Sequence, residues 1–106
     1  MNILKINFTD LNVFAKHYTQ KFKDGGIFYK SDKKYNIGDK IFLIISIESN
    51  KQIFALDSEV VFIAPNNSLS FAGFSGFAFI SNDQNKKYKQ EIEILLGGLT
   101  KALSMF

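Results

Sequence analysis

Apolar and polar residues alternate at the start of the chain, with Leu4, Ile6 and Phe8 on one side, so Asn2–Phe8 predicts a β-strand. Thr9 and Asp10 follow, either suited to cap a helix. Leu11, Phe14, Tyr18 and Phe22 then recur at helical spacing, predicting a short helix with one aromatic face that stops at Gly25-Gly26. From there the period falls to two. Gly26–Ser31 predicts a short strand, Asn36–Asp39 a turn, and Lys40–Glu48 a central strand, because it is β-branched and apolar on both faces. Ser49–Lys51 is a tight polar connection. Ile53–Ala64 alternates again, with Phe54, Leu56, Val60 and Phe62 on one face and Asp57 and Glu59 on the other, and Pro65–Ser68 is a loop. Phe71–Ser81 predicts a last strand, with Gly73 and Gly76 marking bends or close backbone approach. After a turn at Asn82–Asn85, an amphipathic helix carries Tyr88, Ile92, Leu95, Leu96, Leu99 and Leu103 on one stripe, which covers a face or end of the sheet. Gly97-Gly98 inside that helix implies close packing there or a helix end nearby. The pattern as a whole predicts a mainly β fold: a small antiparallel β-barrel or strongly curved sheet with a short N-terminal helical segment and a C-terminal amphipathic helix.

The chain has 106 residues, 46% of them apolar and 22% charged, with no internal repeat or linker, which predicts a single domain over 1–106. There is no Cys, so disulfides, thiolate metal sites and a cysteine nucleophile are excluded. The amino terminus has no signal-peptide pattern, and the apolar run Ile41–Ile45 is far short of the roughly 20 residues of a membrane span. These features predict a cytoplasmic protein without membrane insertion. Net charge is +3, and every basic residue is Lys. A balance this mild does not indicate nucleic acid, and without Arg the planar fork that grips phosphates and guanine edges is missing.

Residues with catalytic potential do not assemble into a motif. His17 has no neighbouring carboxylate at ligand or triad spacing and is expected to be solvated. Asp57 and Glu59 share a strand face that solvation explains. Neither a phosphate-binding glycine loop nor a nucleophile elbow is present, so the sequence predicts no enzyme, no cofactor and no metal. Gly76-Phe77-Ala78-Phe79-Ile80 imitates a base-stacking strand of RNA-binding domains. It has Ser75 where a leading basic residue belongs and Asn82 where an aromatic belongs, so Phe77 and Phe79 are expected to be packing residues.

Four segments in this order resemble a PilZ domain: Gly25–Phe28, Tyr35–Leu43, Glu59–Pro65 and Gly76–Phe79. The spacing from Tyr18 to Gly25-Gly26 and the ending Glu91–Leu99 are similar to the type IV pilus branch of that family. The resemblance implies a small β-barrel and a binding rather than a catalytic role. Most members of the family bind cyclic di-GMP through RxxxR and D/N-x-S-x-x-G motifs. This chain has no Arg, and Lys21 and Lys23 stand where the second motif has its acidic or amide residue and its Ser. Cyclic di-GMP binding by the usual motif is therefore not expected. The resemblance to the pilus branch implies an adaptor that binds the pilus assembly ATPase and an EAL/GGDEF-type regulator, recruited to the pilus base at the inner membrane. It also implies a partner surface of aromatic residues and proline, mapping to Phe62, where the branch has Trp, and Pro65, with Tyr18 matching one Tyr of the branch and Phe14 adjacent to Ala15, where another falls. Phe14, Tyr18 and Phe62 also lie on apolar stripes, so core packing and partner contact both stand open for them. Lys101–Phe106, ending in Met105 and Phe106, is a further segment expected to dock, on the domain or on a partner. A receptor that binds cyclic di-GMP through Lys, or a single-stranded nucleic-acid binder using Phe77 and Phe79, are the alternatives.

Overall fold

The computed structural model describes residues 2–31, 33–64 and 73–104, with side chains described as far as residue 97. Pro65, the adjoining loop and the side chains of Lys101–Phe106 lie outside that description, as do those of Gly98, Leu99 and Leu103. The elements run β1 (Asn2–Phe8), α1 (Leu11–His17), β2 (Tyr18–Thr19), β3 (Gly26–Lys30), β4 (Lys40–Ile47), a 3-10 turn (Glu48–Asn50), β5 (Gln52–Ile63), β6 (Phe74–Phe79) and α2 (Asp83–Ser104).

Among the described residues the strands form one six-stranded sheet in the order β1-β4-β5-β6-β3-β2. It is open, with β1 and β2 at its edges, and β1 runs parallel to β4 while the other neighbours are antiparallel. The mainly β reading with a short N-terminal and a C-terminal helix holds, but the sheet is not closed into a barrel and is not wholly antiparallel, since β1 pairs in parallel with β4. The parallel pair follows from the long connection between β1 and β4, which passes through α1, β2 and β3 and lets the chain return in the same direction.

One face of the sheet carries the core. Ile6 and Phe8 of β1, Leu43 and Ile45 of β4, Phe54 and Leu56 of β5, and Phe77 and Phe79 of β6 are all buried. Phe14 of α1 and Ile92 and Leu96 of α2 close over this face. Burying a Phe or Leu side chain contributes roughly 1.5–3 kcal/mol, so this layer supplies most of the folding drive. Asp10 is the cap of α1: its carboxylate accepts the Val13 amide at 3.0 Å. The helix is shorter than the aromatic stripe predicts. It ends at His17 because Tyr18 adopts an extended backbone and pairs with Ile27, so Phe22 is left in the turn between β2 and β3.

α2 is fastened to the sheet by polar groups before its apolar stripe takes over. Asn82 accepts the Asn85 amide at 2.8 Å. The Asn85 side chain accepts the Asp57 amide at 3.1 Å and donates to the carbonyls of Asp57 and Ile80 at 2.8 and 2.7 Å. Tyr88 then meets Phe54 edge-on, with centroids 5.9 Å apart. The explanation offered for Gly97 does not hold: the helix continues past it to Ser104, and a Cβ there would meet open space. No helix among the described residues is long and apolar enough to cross a membrane.

Candidate functional site

The sheet face opposite the core carries a row of aromatic rings, and a single irregularity puts it there. Between Val60 and Phe62 the pairing of β5 with β6 shifts by one residue: Val60 faces Phe77, and Phe62 faces Gly76. Val61 is the extra residue of a β-bulge. Side chains alternate along a strand, so without the bulge Phe62 would follow Val60 into the core. With it, Phe62 turns outward and is 41% exposed, while Val60 is fully buried.

On the outer face Phe62 meets Phe28 of β3, across Gly76 of β6, which pairs with both. The two rings are T-shaped, 5.8 Å apart at 84°. Phe22 leans over from its turn, 5.4 Å from Phe28. Gly76 makes the row possible, because a Cβ there would stand 3.0 Å from Phe22 Cζ, 3.0 Å from Phe62 Cβ and 3.1 Å from Phe28 Cε1. Beside the row opens a groove of about 460 Å³, lined by Phe28, Phe62, Phe74, Lys16, His17 and Lys21. Val61 and Ile63 are also exposed, so three consecutive apolar residues of β5 face solvent.

The groove's polar groups have different origins. Lys16 and Lys21 are exposed on either side of β2. The ion pair among the described residues joins Lys40 to Glu59, so neither lysine of the groove is held by a carboxylate. His17 is half-buried rather than solvated. Its Nδ1 donates to the Val13 carbonyl at 2.9 Å, and its ring packs 5.1 Å from Phe8 and 5.9 Å from Tyr29. Donation through Nδ1 leaves Nε2 as the imidazole's remaining polar atom.

Of the residues singled out from sequence, Phe62 lies at the centre of the outer row. Phe14 is fully buried under α1, which removes it from any surface patch. Tyr18 faces the core side, with its ring 6.0 Å from Phe14 and 6.3 Å from Phe79. Its hydroxyl is buried without a hydrogen-bond partner. Burial pushes the phenol up to about 12, and the negative charge of Glu93 adds to the rise. Phe14 and Tyr18 are thus together on one face of the sheet and Phe62 is on the other. Phe22, Phe28, Phe74, Lys16 and the groove-lining position of His17 were missed. Exposed and core aromatics look alike in an alternating sequence, and the bulge that separates them leaves no residue signature.

Phe77 and Phe79 are buried in the core. That removes the base-stacking reading, which needs both rings on the surface. Asp57 accepts from the Asn82 side chain at 3.2 Å, and Glu59 pairs with Lys40, so both carboxylates have structural partners. Among the described residues no three His, Asp or Glu side chains come together as a metal site. The arrangement offers an apolar floor, flanking exposed apolar residues and two cations without a carboxylate partner among the described residues.

Comparison with known proteins agrees with a binding role. The model of the PilZ domain family matches residues 4–97, and the chain belongs to that family. PilZ domains are in general non-catalytic binding domains, which take cyclic di-GMP or protein partners. No curated protein matches the chain.

Proposed function

We propose that this PilZ domain is a non-enzymatic adaptor of a type IV pilus machine. In this reading it docks the pilus assembly ATPase, an EAL/GGDEF-type regulator, or both, and so controls pilus biogenesis and twitching motility without itself binding cyclic di-GMP. The observation that carries the docking part is the outward row of Phe22, Phe28 and Phe62 with its exposed neighbours Val61 and Ile63. Contiguous exposed apolar and aromatic surface of this kind marks partner sites, where aromatic anchors supply most of the binding energy. The pilus assignment rests on the resemblance of the ordered segments Gly25–Phe28, Tyr35–Leu43, Glu59–Pro65 and Gly76–Phe79. Pro65, two positions past Ile63 in the sequence, is a proposed member of the same surface.

The absence of cyclic di-GMP binding is argued from chemistry. The ligand's two phosphates and two guanines call for bidentate forks, which Lys cannot supply. The T-shaped Phe28–Phe62 pair also offers no flat pair of faces for stacking a base. A second reading, a receptor that grips the dinucleotide through lysine, is favoured by the unpaired Lys16 and Lys21 at the groove. Calorimetric titration with cyclic di-GMP separates the two, since tight saturable binding would replace the adaptor reading. The adaptor reading is tested by pulling the tagged full chain from lysate of its own source. Recovery of a pilus assembly ATPase or an EAL-domain regulator, lost with Phe62→Asp, is the expected result. Recovery of neither reduces the assignment to the family alone.

A further inference from the structure

We propose that the groove between Phe28, Phe62 and Phe74 takes an acidic, amphipathic segment of the partner protein. One or two large apolar side chains would be seated on the rings, with flanking Asp or Glu carboxylates against Lys16 and Lys21. The inference rests on the docking reading above and states what chemistry the docked segment has.

Three observations carry it. First, the floor is apolar and the polar rim is cationic: Lys16 and Lys21 line the groove, and no Asp or Glu among the described residues does. A rim of one sign selects a partner of the other sign and repels its own. Second, both lysines are exposed and without a carboxylate partner among the described residues, so pairing them breaks no existing ion pair. Third, a second copy of the chain is a poor match for this surface through the same patch. In a two-fold pair the same surface meets itself, so a second copy docked through this groove brings no carboxylate to the lysines, none being among the described lining residues.

The choice of a peptide over a nucleic acid follows from ring geometry and from the flanks. Single strands bind by stacking bases on open ring faces. Here Phe28 and Phe62 stand edge to face at 84°, and Phe22 packs on Phe28 tilted at 48°. The exposed neighbours on β5 are the aliphatic Val61 and Ile63, which suit an apolar side chain and do not stack a base.

The experiment pans a phage library of random dodecapeptides against the immobilised full chain, with the Phe62→Asp variant as counter-target. Circular dichroism and melting establish that the variant is folded. The expected result is enrichment of Phe, Leu or Trp flanked within a few positions by Asp or Glu. A synthetic copy of the leading sequence should bind at least tenfold more weakly to the Lys16→Glu/Lys21→Glu double variant. It should also weaken several-fold when salt rises from roughly 50 to 500 mM, as the Debye length shrinks from about 14 to about 4 Å. Phe62-dependent enrichment without acidic residues, or binding indifferent to the lysine reversals, overturns this inference and leaves the docking face standing. No Phe62-dependent enrichment at all overturns both. Tighter binding of an oligothymidylate to the same residues would assign the groove to nucleic acid. A dimer of the free chain that Phe62→Asp dissolves would assign it to a second copy. Either outcome also overturns the proposal.

Discussion

Replacing Tyr18 by Phe should stabilise the domain, although it removes a polar group from a tyrosine that the resemblance places in a partner surface. The hydroxyl is buried and has no hydrogen-bond partner. Burying an unpaired hydroxyl costs about 1–3 kcal/mol by protein mutational data. Phe keeps the ring and with it the packing against Phe14 and Phe79. The residue as a whole is only partly buried, so the low end applies: a gain of about 1 kcal/mol at pH 7, or about 4 °C in Tm for a domain of this size. A second readout comes from pH. Burial, and then Glu93, hold the phenol at about 12 against an ordinary value of 10.0. The folded state therefore resists ionisation that the unfolded chain accepts. Tyr18 costs the wild type nothing extra below pH 10, and its stability falls between pH 10 and pH 12 as the unfolded phenol loses its proton. At pH 11 this adds up to about 1 kcal/mol to the advantage of the Phe variant, since solvent around the half-buried residue screens part of the effect. Urea unfolding of the two at pH 7 and pH 11 measures both effects. A less stable variant at pH 7, or an advantage that does not grow by pH 11, would refute the reasoning and return the Tyr18 hydroxyl to a bonded or accessible setting.

Asn85→Ala removes three hydrogen bonds that join α2 to β5 and to Ile80 just past β6, so a loss of about 2–4 kcal/mol is expected in denaturant unfolding. Gly26→Ala should prevent folding or cost more than about 3 kcal/mol, since its Cβ would lie 2.3 Å from the Phe77 carbonyl oxygen, an atom of the backbone that cannot swing aside. Phe62→Ser should change stability by less than about 1 kcal/mol, because the ring is on the surface, while partner capture falls by at least tenfold. Lys40→Ala, which breaks an exposed ion pair with Glu59, should shift the unfolding midpoint by an amount equivalent to no more than about 0.5 kcal/mol.

What could be read from the residues and what could not divide along a physical line. Local alternation places Leu4, Ile6 and Phe8 inward on β1, and Phe54, Leu56 and Val60 inward on β5, as the burial shows. The stripe of Tyr88, Ile92, Leu95 and Leu96 likewise faces the core. Each of these depends on neighbours in sequence. The β1–β4 parallel pairing depends on strands far apart in the chain, and no local period encodes it. The helix end at His17 was missed for a related reason. Tyr18 keeps helical spacing with Phe14, but its pairing with Ile27 on β3 overrides that preference. The candidate site suffered most, because an aromatic on an alternating strand is assigned a face by counting, and the bulge at Val61 breaks the count.

That broken count bears on function beyond the position of one ring. A strand patterned Val60-Val61-Phe62-Ile63 would be soluble and safe if Phe62 stayed inward, and the fold instead spends an irregularity to turn it out. Gly76 is the second half of the arrangement: on the neighbouring strand, opposite both Phe28 and Phe62, it leaves a space that a methyl group would fill. Neither device improves the core. The bulge removes a large ring from it, and a glycine within a strand weakens that strand. Exposed apolar runs of this length are an aggregation hazard unless something covers them. Two features that each cost stability combine to present aromatic surface beside lysines that have no carboxylate partner among the described residues, and the docking role proposed above would account for both together.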